Sequence, residues 1–331
     1  MKICVYEARP DERGALERQA ALHGVELTVT DQVPTLENTS LAAGCEGVST
    51  LGQGRLDAAL LDAYHALGVR YLSTRTVGYD HIDLDHARAI GLRVCSARYD
   101  PNGVADFTVM LILMCLRHYK QALWRGQVND FSLNGLQGRE MKDLTVGIIG
   151  TGRIGVQVAR NLSGFGCRLL AYDPRPNPAA EGLVTYVDLD ALLTQSDVIT
   201  LHMPLLDSNR HLINRDTIAK MRDGVVIINC SRGEMADIEA LIEGIETGKI
   251  GALGMDTVEG DEGIIHADHR VDILSNRNWF YLHQFRNVIM TQHMAFYTDA
   301  AVSSMVACGI GGICQMAAGE VCPTELTKSL P

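Results

Sequence analysis

The stretch LTVGIIGTGRIGVQVARNLSGFGCRLLAYD, residues 144–173, carries a glycine pattern between an apolar strand and a helix. Gly150, Gly152 and Gly155 form the sequence G-x-G-x-x-G. The first glycine permits a tight turn, the second lets the backbone approach a pyrophosphate, and the third lets helix and strand pack closely. The helix N-terminus then faces the phosphate charge. The stretch therefore predicts a dinucleotide-binding βαβ unit.

An acidic residue completes this pattern. Asp173 ends the next predicted strand, 18 residues beyond Gly155. Its carboxylate can accept hydrogen bonds from the hydroxyls of an adenosine ribose and would repel a 2′-phosphate, which favours NAD over NADP. Arg175 lies two residues later and leaves the choice between the two cofactors open.

Outward from this stretch, β-branched runs alternate with helical patterns in two series, one before residue 144 and one after it. Alternation of this kind predicts parallel sheets covered by helices. The predicted strands are KICVYEA, VELTVT, GVST, VRYLST and LRVCSA in the first series, and LTVGIIG, CRLLAYD, GLVTYV, DVITLH, GVVIINC, IGALGMD and NVIMTQH in the second.

Two apolar segments, residues 101–119 and 298–318, predict helices that connect the two series. The first domain should therefore be discontinuous. We expect a substrate domain over residues 1–99 and 299–331 and a dinucleotide-binding domain over residues 100–298.

Composition limits the partners. A formal net charge of −11 gives no general attraction to nucleic acid or to anionic membranes. The nine scattered cysteines contain no C-x-x-C pair, which is typical of reduced thiols in a cytoplasmic protein. The first residues resemble no targeting signal, and the longest apolar run, 109–116, is too short to span a bilayer. We expect a cytoplasmic protein with a small-molecule substrate.

Three further stretches follow predicted strands, where ligands gather in an open α/β sheet. INCSRGE carries Arg232, GMDTVEGDEG carries four acids, and TQHMAFYTD carries His293. Together they supply what hydride transfer to a 2-keto acid needs: a cation, an acid/base group that titrates near neutrality, and a carboxylate to hold that group.

The order of these motifs resembles the NAD-dependent D-specific 2-hydroxyacid dehydrogenases over nearly the whole chain. The matching segments are STRTVGYDHIDL (73–84), ARYDPNGVADFTVMLIL (97–113), GTGRIG, LHMPL (201–205), INCSRG, GMDTVEGDEG and TQHMAFYT. The stretches VRYLSTRTVGYDHID, MLILM and LTVGIIGTGRIG resemble the D-lactate dehydrogenases, including the vancomycin-resistance branch. The resemblance implies a smaller flavodoxin-like catalytic domain, a Rossmann domain inserted into it, an active site in the cleft between them, and a homodimer.

The resemblance also implies roles for individual residues. Arg232 binds the substrate and polarises its carbonyl, and His293 donates the proton. The implied substrate-binding residues are Val77, Gly78 and Tyr79, through backbone N–H groups, with Tyr99 and Tyr297 shaping the pocket. The implied cofactor-binding residues are Gly150, Gly152, Arg153, Ile154, Gly155, Asp173, His202, Pro204, Cys230 and Asp256. For His202, packing at the strand end is an equal alternative.

The partner of His293 stays open between two acids. In the D-lactate branch a glutamate five residues after the strand-end Asp holds the catalytic His, and that position here is Asp261. Asp261 is shorter, so Glu262 is the alternative, while Glu259 is expected to be solvated in the turn. Two other departures are Gln292, where the family commonly has Pro, and Asp100, where it commonly has Ser.

Other functions are conceivable from the sequence. The segment HADH brings His266, Asp268 and His269 together, but without further ligands we expect no metal. Pyruvate reduced to D-lactate is the expected reaction; a larger substrate such as phenylpyruvate or 2-ketoisocaproate is the alternative. A 3-phosphoglycerate dehydrogenase would need extra basic residues to bind the substrate phosphate. A non-enzymatic NADH-sensing protein would lack Arg232 or His293.

Overall fold

Strands and helices alternate throughout residues 1–328, the part of the chain that the computed structural model describes. The strands are β1 (Lys2–Val5), β2 (Glu26–Val29), β3 (Gly47–Thr50), β4 (Tyr71–Thr74), β5 (Arg93–Cys95), β6 (Thr145–Ile149), β7 (Arg168–Tyr172), β8 (Thr185–Tyr186), β9 (Val198–Leu201), β10 (Val225–Asn229), β11 (Ile250–Met255) and β12 (Val288–Met290). Each predicted strand segment contains one of them, so the strand prediction is confirmed.

The helices lie between these strands or flank them. They are α1 (Arg13–His23), α2 (Ala58–Ala66), α3 (Leu84–Ala89), α4 (Asn102–Leu116), α5 (Tyr119–Gln127), α6 (Arg153–Ser163), α7 (Leu189–Gln195), α8 (Arg215–Lys220), α9 (Ile238–Glu246), α10 (Arg277–Gln284) and α11 (Asp299–Ala317). Short polar side chains begin many of them: Asp57, for example, accepts a hydrogen bond from the backbone N–H of Leu60 at the start of α2.

The chain divides into two compact units. The first contains Met1–Asp100 together with the chain from Tyr297 onward, and the second contains Pro101–Phe296. The expected boundaries had placed Asp100, Tyr297 and Thr298 with the dinucleotide-binding domain. The assignment of substrate binding to the first unit stays a prediction.

The first unit is built on a five-stranded sheet in the order β2-β1-β3-β4-β5. All of its pairings are parallel, for example Val48 of β3 opposite Leu72 of β4. This is the flavodoxin-like strand order. Helix α11 packs against α1 and β4, so a late segment of the chain completes the first unit.

The second unit is built on a seven-stranded parallel sheet in the order β12-β11-β10-β9-β6-β7-β8. Strands β6 to β11, read from β8 across the sheet, follow the order expected of a Rossmann fold, and the order of the strands reverses between β6 and β9. The α/β fold class with two doubly wound sheets is confirmed.

Both faces of each sheet are buried, and successive strand residues alternate between the two cores. In β10, Val225 and Ile227 pack into one apolar cluster while Val226 and Ile228 pack into the other. A strand buried on both faces reads as a continuous apolar run, which explains why VVII is apolar at each position.

The predicted helix over 101–119 is interrupted. Helix α4 ends at Leu116, and His118 adopts a left-handed conformation with φ of 50° before α5 begins. The sequence turns polar at Arg117 and His118, so the predicted helix ran a few residues past the end of α4.

Helix α11 is long and apolar enough, by length and composition alone, to cross a membrane. Half of the apolar stretch of this helix is buried inside the protein, including Met305, Val306 and Ile310. Burial on both α1 and the sheet gives it the composition of a core helix.

Candidate active site

The glycine loop after β6 has the conformation that its three glycines require. Gly150 has φ of 97°, and a Cβ there would lie 2.7 Å from the carbonyl carbon of His202. A Cβ on Gly155 would lie 2.0 Å from the Gly150 oxygen, so the start of α6 packs on the loop without room for any side chain. A Cβ on Gly152 would meet nothing within 4 Å. The loop is thus closed by two glycines and open at the third, as a pyrophosphate cradle needs.

Asp173 lies at the end of β7 and is fixed by the same loop. Its Oδ2 accepts hydrogen bonds from the Thr151 backbone N–H at 2.7 Å and from the Thr151 hydroxyl at 3.1 Å. The Tyr186 hydroxyl donates to Thr151 Oγ1 at 2.9 Å. Sequence analysis missed Thr151 and Tyr186, because only the pairing of β7 with β8 brings Tyr186 to this edge.

The neighbouring Arg175 donates its backbone N–H to Asp173 Oδ1 at 2.8 Å and is exposed. The carboxylate thus has bonds to the chain on both oxygens, which fix its orientation. Oδ2 already accepts two hydrogen bonds and Oδ1 accepts one, so Oδ1 has a further lone pair that can accept from a ribose hydroxyl.

His202, at the end of β9, lies against the glycine loop. Its Nε2 is 2.9 Å from the Thr200 hydroxyl, whereas its Nδ1 is buried and has no hydrogen-bond partner among the described residues. Burial lowers the imidazole pKa to about 3, so the ring is neutral at physiological pH. A buried polar atom without a partner fits a site that a ligand completes.

The other predicted cofactor residues surround this edge. Cys230 follows β10, and burial raises the pKa of its thiol, which therefore stays protonated. Ile154 is half-buried at the start of α6, while Arg153 and Pro204 are exposed.

Arg232 follows β10 in a loop that Asn229 holds. The Asn229 amide nitrogen donates to the Arg232 carbonyl at 2.8 Å, and its Oδ1 accepts from the Ser231 backbone N–H at 3.0 Å. A Cβ on Gly233 would lie 2.2 Å from the carbonyl carbon of Val258. The Arg232 loop therefore packs directly on the acidic loop that follows β11. Asn229 was not singled out from the sequence, since an Asn at a strand end is a common turn residue.

His293 lies in the loop after β12, and Asp256 at the end of β11 binds that loop on both sides of it. Asp256 Oδ1 accepts from the Thr291 hydroxyl at 2.6 Å and from the Met294 N–H at 2.9 Å, and Oδ2 accepts from the Ala295 N–H at 2.8 Å. His293 has φ of 52°, which is uncommon for a residue with a Cβ. Asp256 is 1% exposed, and these bonds make it a support of the histidine loop.

His266 also contacts this loop. Its Nε2 lies 3.2 Å from the His293 carbonyl oxygen, and the two ring centroids are 6.1 Å apart. The other members of the HADH segment are engaged elsewhere: His269 pairs with Asp272 at 2.7 Å, and Asp268 pairs with Arg270 at 2.6 Å. Within residues 1–328, no group of three or more His, Cys, Asp or Glu residues has an arrangement that could hold a metal ion.

The acids of the loop after β11 differ in their surroundings. Asp261 is half-buried, and its Oδ2 accepts from the Val258 N–H at 3.2 Å. Burial raises its pKa to about 6, while the Val258 hydrogen bond and the charge of Arg232 act in the opposite direction. Glu262 is exposed. Asp261 is thus partly buried and held by the backbone of its loop, whereas the Glu262 side chain is exposed to solvent.

The expectation that Glu259 is solvated was wrong. Its Oε1 lies 2.6 Å from His211 Nε2, and the Glu259 side chain is only 26% exposed. The two residues are 48 positions apart in the chain, so nothing in the local sequence indicated this pair.

The predicted substrate residues lie in the first unit. Val77 and Tyr79 are exposed in the turn after β4, and the Thr76 hydroxyl donates to the Gly78 carbonyl at 2.6 Å, which fixes that turn. Tyr99 is half-buried after β5. Tyr297 is 45% exposed, and the Arg9 guanidinium lies 5.0 Å from its ring centroid.

In the second unit, Arg232, Asp261 and His293 follow β10, β11 and β12, which are adjacent in the sheet. A guanidinium can polarise a carbonyl, an imidazole can transfer a proton, and a carboxylate can tune that imidazole. The glycine loop and Asp173 follow β6 and β7 at the same edge.

Comparison with known proteins shows the family to which the chain is similar. Residues 109–295 match the model of the NAD binding domain of the D-isomer specific 2-hydroxyacid dehydrogenases. The chain is 41% identical over 310 residues to an aromatic 2-oxoacid reductase of Clostridium sporogenes, with 92% of this chain and 93% of the relative covered. It is 38% identical over 328 residues to the D-lactate dehydrogenase of Escherichia coli, with 98% and 100% covered.

Among solved structures, the pyruvate reductase of Chlamydomonas reinhardtii superposes with a TM-score of 0.89 at 34% identity, covering 98% of each chain. The fold is thus shared with that protein along almost the full length of both chains. The chain belongs to the D-isomer specific 2-hydroxyacid dehydrogenases, as an NAD-dependent enzyme.

Proposed function

We propose that this enzyme reduces pyruvate to D-lactate with NADH. The observation that carries the proposal is the placement of Arg232, Asp261 and His293 at the ends of three adjacent strands, next to a glycine loop that is open at Gly152. NADH, when bound, supplies the hydride that the carbonyl carbon receives. The protein's own residues bind the keto acid, polarise its carbonyl and deliver the proton.

Arg232 and His293 have different roles at the substrate carbonyl. The guanidinium of Arg232 donates hydrogen bonds to the substrate and draws electron density toward the carbonyl oxygen. The imidazolium of His293 transfers its proton to that oxygen, which becomes the hydroxyl of the product, and His293 is left neutral. Asp261 stabilises the charged form of His293 before the transfer.

We assign the carboxylate of the substrate to the backbone N–H groups of Val77, Gly78 and Tyr79. Backbone donors in a fixed turn suit a carboxylate, because they do not need to be ordered on binding. The hydrogen bond from Thr76 to the Gly78 carbonyl supports this assignment. Tyr99 and Tyr297 are assigned to the side-chain pocket.

An aromatic 2-keto acid such as phenylpyruvate is the second candidate. It is favoured by the 41% identity to an aromatic 2-oxoacid reductase over nearly the whole chain. The aromatic rings of Tyr99 and Tyr297 would contact an aromatic substrate as readily as they would close a small pocket.

Initial rates with pyruvate, phenylpyruvate and 2-ketoisocaproate, each with NADH and with NADPH, test the proposal. We expect the highest kcat/KM with pyruvate and NADH, and a product of D configuration by chiral chromatography. A higher kcat/KM with phenylpyruvate would replace pyruvate by the aromatic candidate. Better use of NADPH would assign Arg175 to a 2′-phosphate.

In the same assay, Arg232→Ala tests the role of Arg232 in keto-acid reduction. It should lose about 100-fold or more in kcat/KM, since it removes a charged contact to the reacting group, while NADH still binds. Near wild-type reduction of pyruvate by Arg232→Ala would contradict the role of Arg232.

We further propose that the enzyme is a cytoplasmic homodimer. Support comes from a set of large apolar side chains on α5 and the segment after it, which we call the α5 surface: Leu123, Trp124, Val128, Phe131 and Leu133 are 52 to 83% exposed. Large apolar side chains exposed along one segment of the chain are typical of a protein interface. A second copy of the chain is the partner we propose for it.

A further inference from the structure

The first unit contains a buried ion pair that the proposed chemistry does not use. Arg75 and Glu12 both have 0% exposed side chains, and Arg75 Nε lies 2.9 Å from Glu12 Oε1. Removing two charges from water is costly, and a buried pair often contributes little net stability compared with apolar residues of similar size. The pair therefore points to a role in fixing geometry.

The guanidinium of Arg75 connects several segments at the carboxyl edge of the five-stranded sheet. Nη1 donates to the Ser49 hydroxyl at 3.2 Å, and Nη2 donates to the Tyr6 carbonyl at 3.0 Å and the Glu7 carbonyl at 3.3 Å. These residues lie in β3 and just after β1. The planar fork of arginine is needed for such a set, because lysine has a single nitrogen.

The structure makes room for this side chain at one position of α11. A Cβ on Gly309 would lie 2.8 Å from Arg75 Cγ and 3.2 Å from the Ser49 hydroxyl oxygen. The helix that begins just after Tyr297 therefore packs against the stem of Arg75. This contact joins the middle of α11 to the residue that follows β4.

Arg75 immediately precedes the turn that carries Val77, Gly78 and Tyr79. Its own backbone N–H donates to the Thr50 carbonyl at 2.7 Å, so both its main chain and its side chain are fixed. The start of the turn cannot move unless the buried guanidinium moves with it.

Glu12 extends the connection to the predicted side-chain pocket. Its Oε2 accepts from the Arg9 backbone N–H at 3.0 Å, and the Arg9 guanidinium lies 5.0 Å from the Tyr297 ring centroid. Arg9 also pairs with Asp11 at 3.1 Å. One buried carboxylate thus holds the base of the arginine that packs on Tyr297.

We propose that Arg75 and Glu12 are positioning residues for the keto acid: the pair sets the turn 76–79 for the substrate carboxylate and, through Arg9, the ring of Tyr297. This inference rests on the proposed function, because it takes both groups as substrate contacts. Its consequence is that the pair governs KM for the keto acid more than kcat or NADH binding. Neither residue touches the reacting atoms.

Arg75→Met combined with Glu12→Met tests the proposal, since it removes both charges and leaves none buried without a partner. We expect KM for pyruvate to rise at least about tenfold while kcat changes less than about threefold, because misplacing a contact by a fraction of an ångström weakens binding. The Kd of NADH, measured by fluorescence titration, should stay within about twofold of the wild type, as the changes lie in the other unit.

Arg93→Met is the matched control, since it removes a second arginine–glutamate pair of the same unit, with Glu325 at 2.8 Å. Its KM should match the wild type. Glu12→Gln, which keeps the shape of the side chain, is the second variant should the double variant not fold, and it too should raise KM. A KM within about twofold of the wild type in the folded pair variants, or an equal rise in Arg93→Met, overturns the positioning role.

A wild-type enzyme that reduces no 2-keto acid would overturn the proposed function, and this inference with it. An active wild type whose KM is insensitive to Arg75 and Glu12 would overturn this inference alone.

Discussion

Asp261 differs from the other acids of its loop because it is half-buried beside a cation. Burial raises its pKa to about 6, so a fraction of the carboxyl is protonated near neutrality. The glutamate that the family resemblance implies at this position would be one methylene longer. The shorter Asp261 depends on its loop to bring it close to His293, and the close packing of Gly233 on Val258 fixes that loop against the Arg232 loop.

Asp261→Asn should shift the alkaline pH limit of keto-acid reduction downward. A carboxylate near His293 keeps the imidazole protonated, and its loss lets the proton leave at lower pH. Profiles of kcat/KM against pH for this variant and for Glu262→Gln provide the measurement. The Glu262 variant should follow the wild type, and a shift in that variant alone would make Glu262 the partner instead.

Asp261→Asn should also make the protein more stable at alkaline pH. The pKa of Asp261 rises from the ordinary 3.8 to about 6 on folding, so its favourable contribution is present below pH 3.8 and is lost as pH rises through about 6. Above that pH the buried charge costs about 3 kcal/mol, which the amide avoids. Urea unfolding at pH 8 should show this gain in full, and at pH 4.5 the gain should be about a third as large. An equal gain at both pH values would contradict the assignment to the charge.

The loop after β12 owes its shape to a carboxylate on the neighbouring strand. Asp256 accepts three hydrogen bonds from residues 291, 294 and 295, and so encloses His293. Because no side chain of residues 291–295 is fully buried except that of Ala295, apolar packing alone would hold the loop weakly. A contact of Asp256 with the nicotinamide, expected from family resemblance, stays a prediction.

Asp256→Ala should lower kcat at least about tenfold, since two backbone N–H groups lose their acceptor and His293 loses its fixed position. Stopped-flow turnover and NADH titration on the same preparation distinguish a support of the His293 loop from a contact with the nicotinamide. An unchanged Kd for NADH supports the loop role, whereas a weaker Kd with normal kcat would make Asp256 a cofactor contact. Asp256→Asn, which keeps one acceptor oxygen, should lie between Ala and the wild type.

Two glycines of the β6–α6 connection should differ in what their substitution changes: NADH affinity at Gly152 and the stability of the fold at Gly155. Gly152→Ala adds a methyl group that meets no protein atom within 4 Å, so the variant should fold normally and yet bind NADH at least about tenfold more weakly. Gly155→Ala places its methyl group 2.0 Å from the Gly150 oxygen and should lower the free energy of unfolding by at least about 2 kcal/mol. Circular dichroism melts and NADH titrations distinguish the two. Normal NADH affinity in Gly152→Ala would contradict the pyrophosphate assignment.

The assembly of the whole enzyme depends on the α5 surface. Trp124→Ser combined with Phe131→Ser should turn a dimer into a monomer at micromolar concentration, because aromatic anchors dominate the energy of protein interfaces. Sedimentation velocity provides the measurement. Leu22→Ser, at a leucine that is 72% exposed in the first unit, is the control and should leave the dimer intact. A monomeric wild type, or a dimer that survives the double change, would contradict the proposal.

The elements of the molecule could be predicted because their signals are local. Most of the strands within residues 1–328 lie in short runs rich in apolar residues, and side chains such as Val225 to Ile228 alternate between two buried faces. Glycines at 150, 152 and 155 mark a turn through their own backbone and close contacts. The order of strand-end motifs then predicted the sheet edge that carries Arg232 and His293.

The tertiary structure alone decided which polar groups meet. Asp256 reaches Thr291 across 35 positions, Glu259 reaches His211 across 48, and Arg75 reaches Glu12 across 63. Each of these side chains would be solvated in an extended chain and looks like an ordinary loop charge in the sequence. They become partners because parallel strands place distant strand ends at one edge, where burial makes an unpaired charge costly. Periodicity records which face a residue occupies, but it carries no information about which distant residue lies opposite.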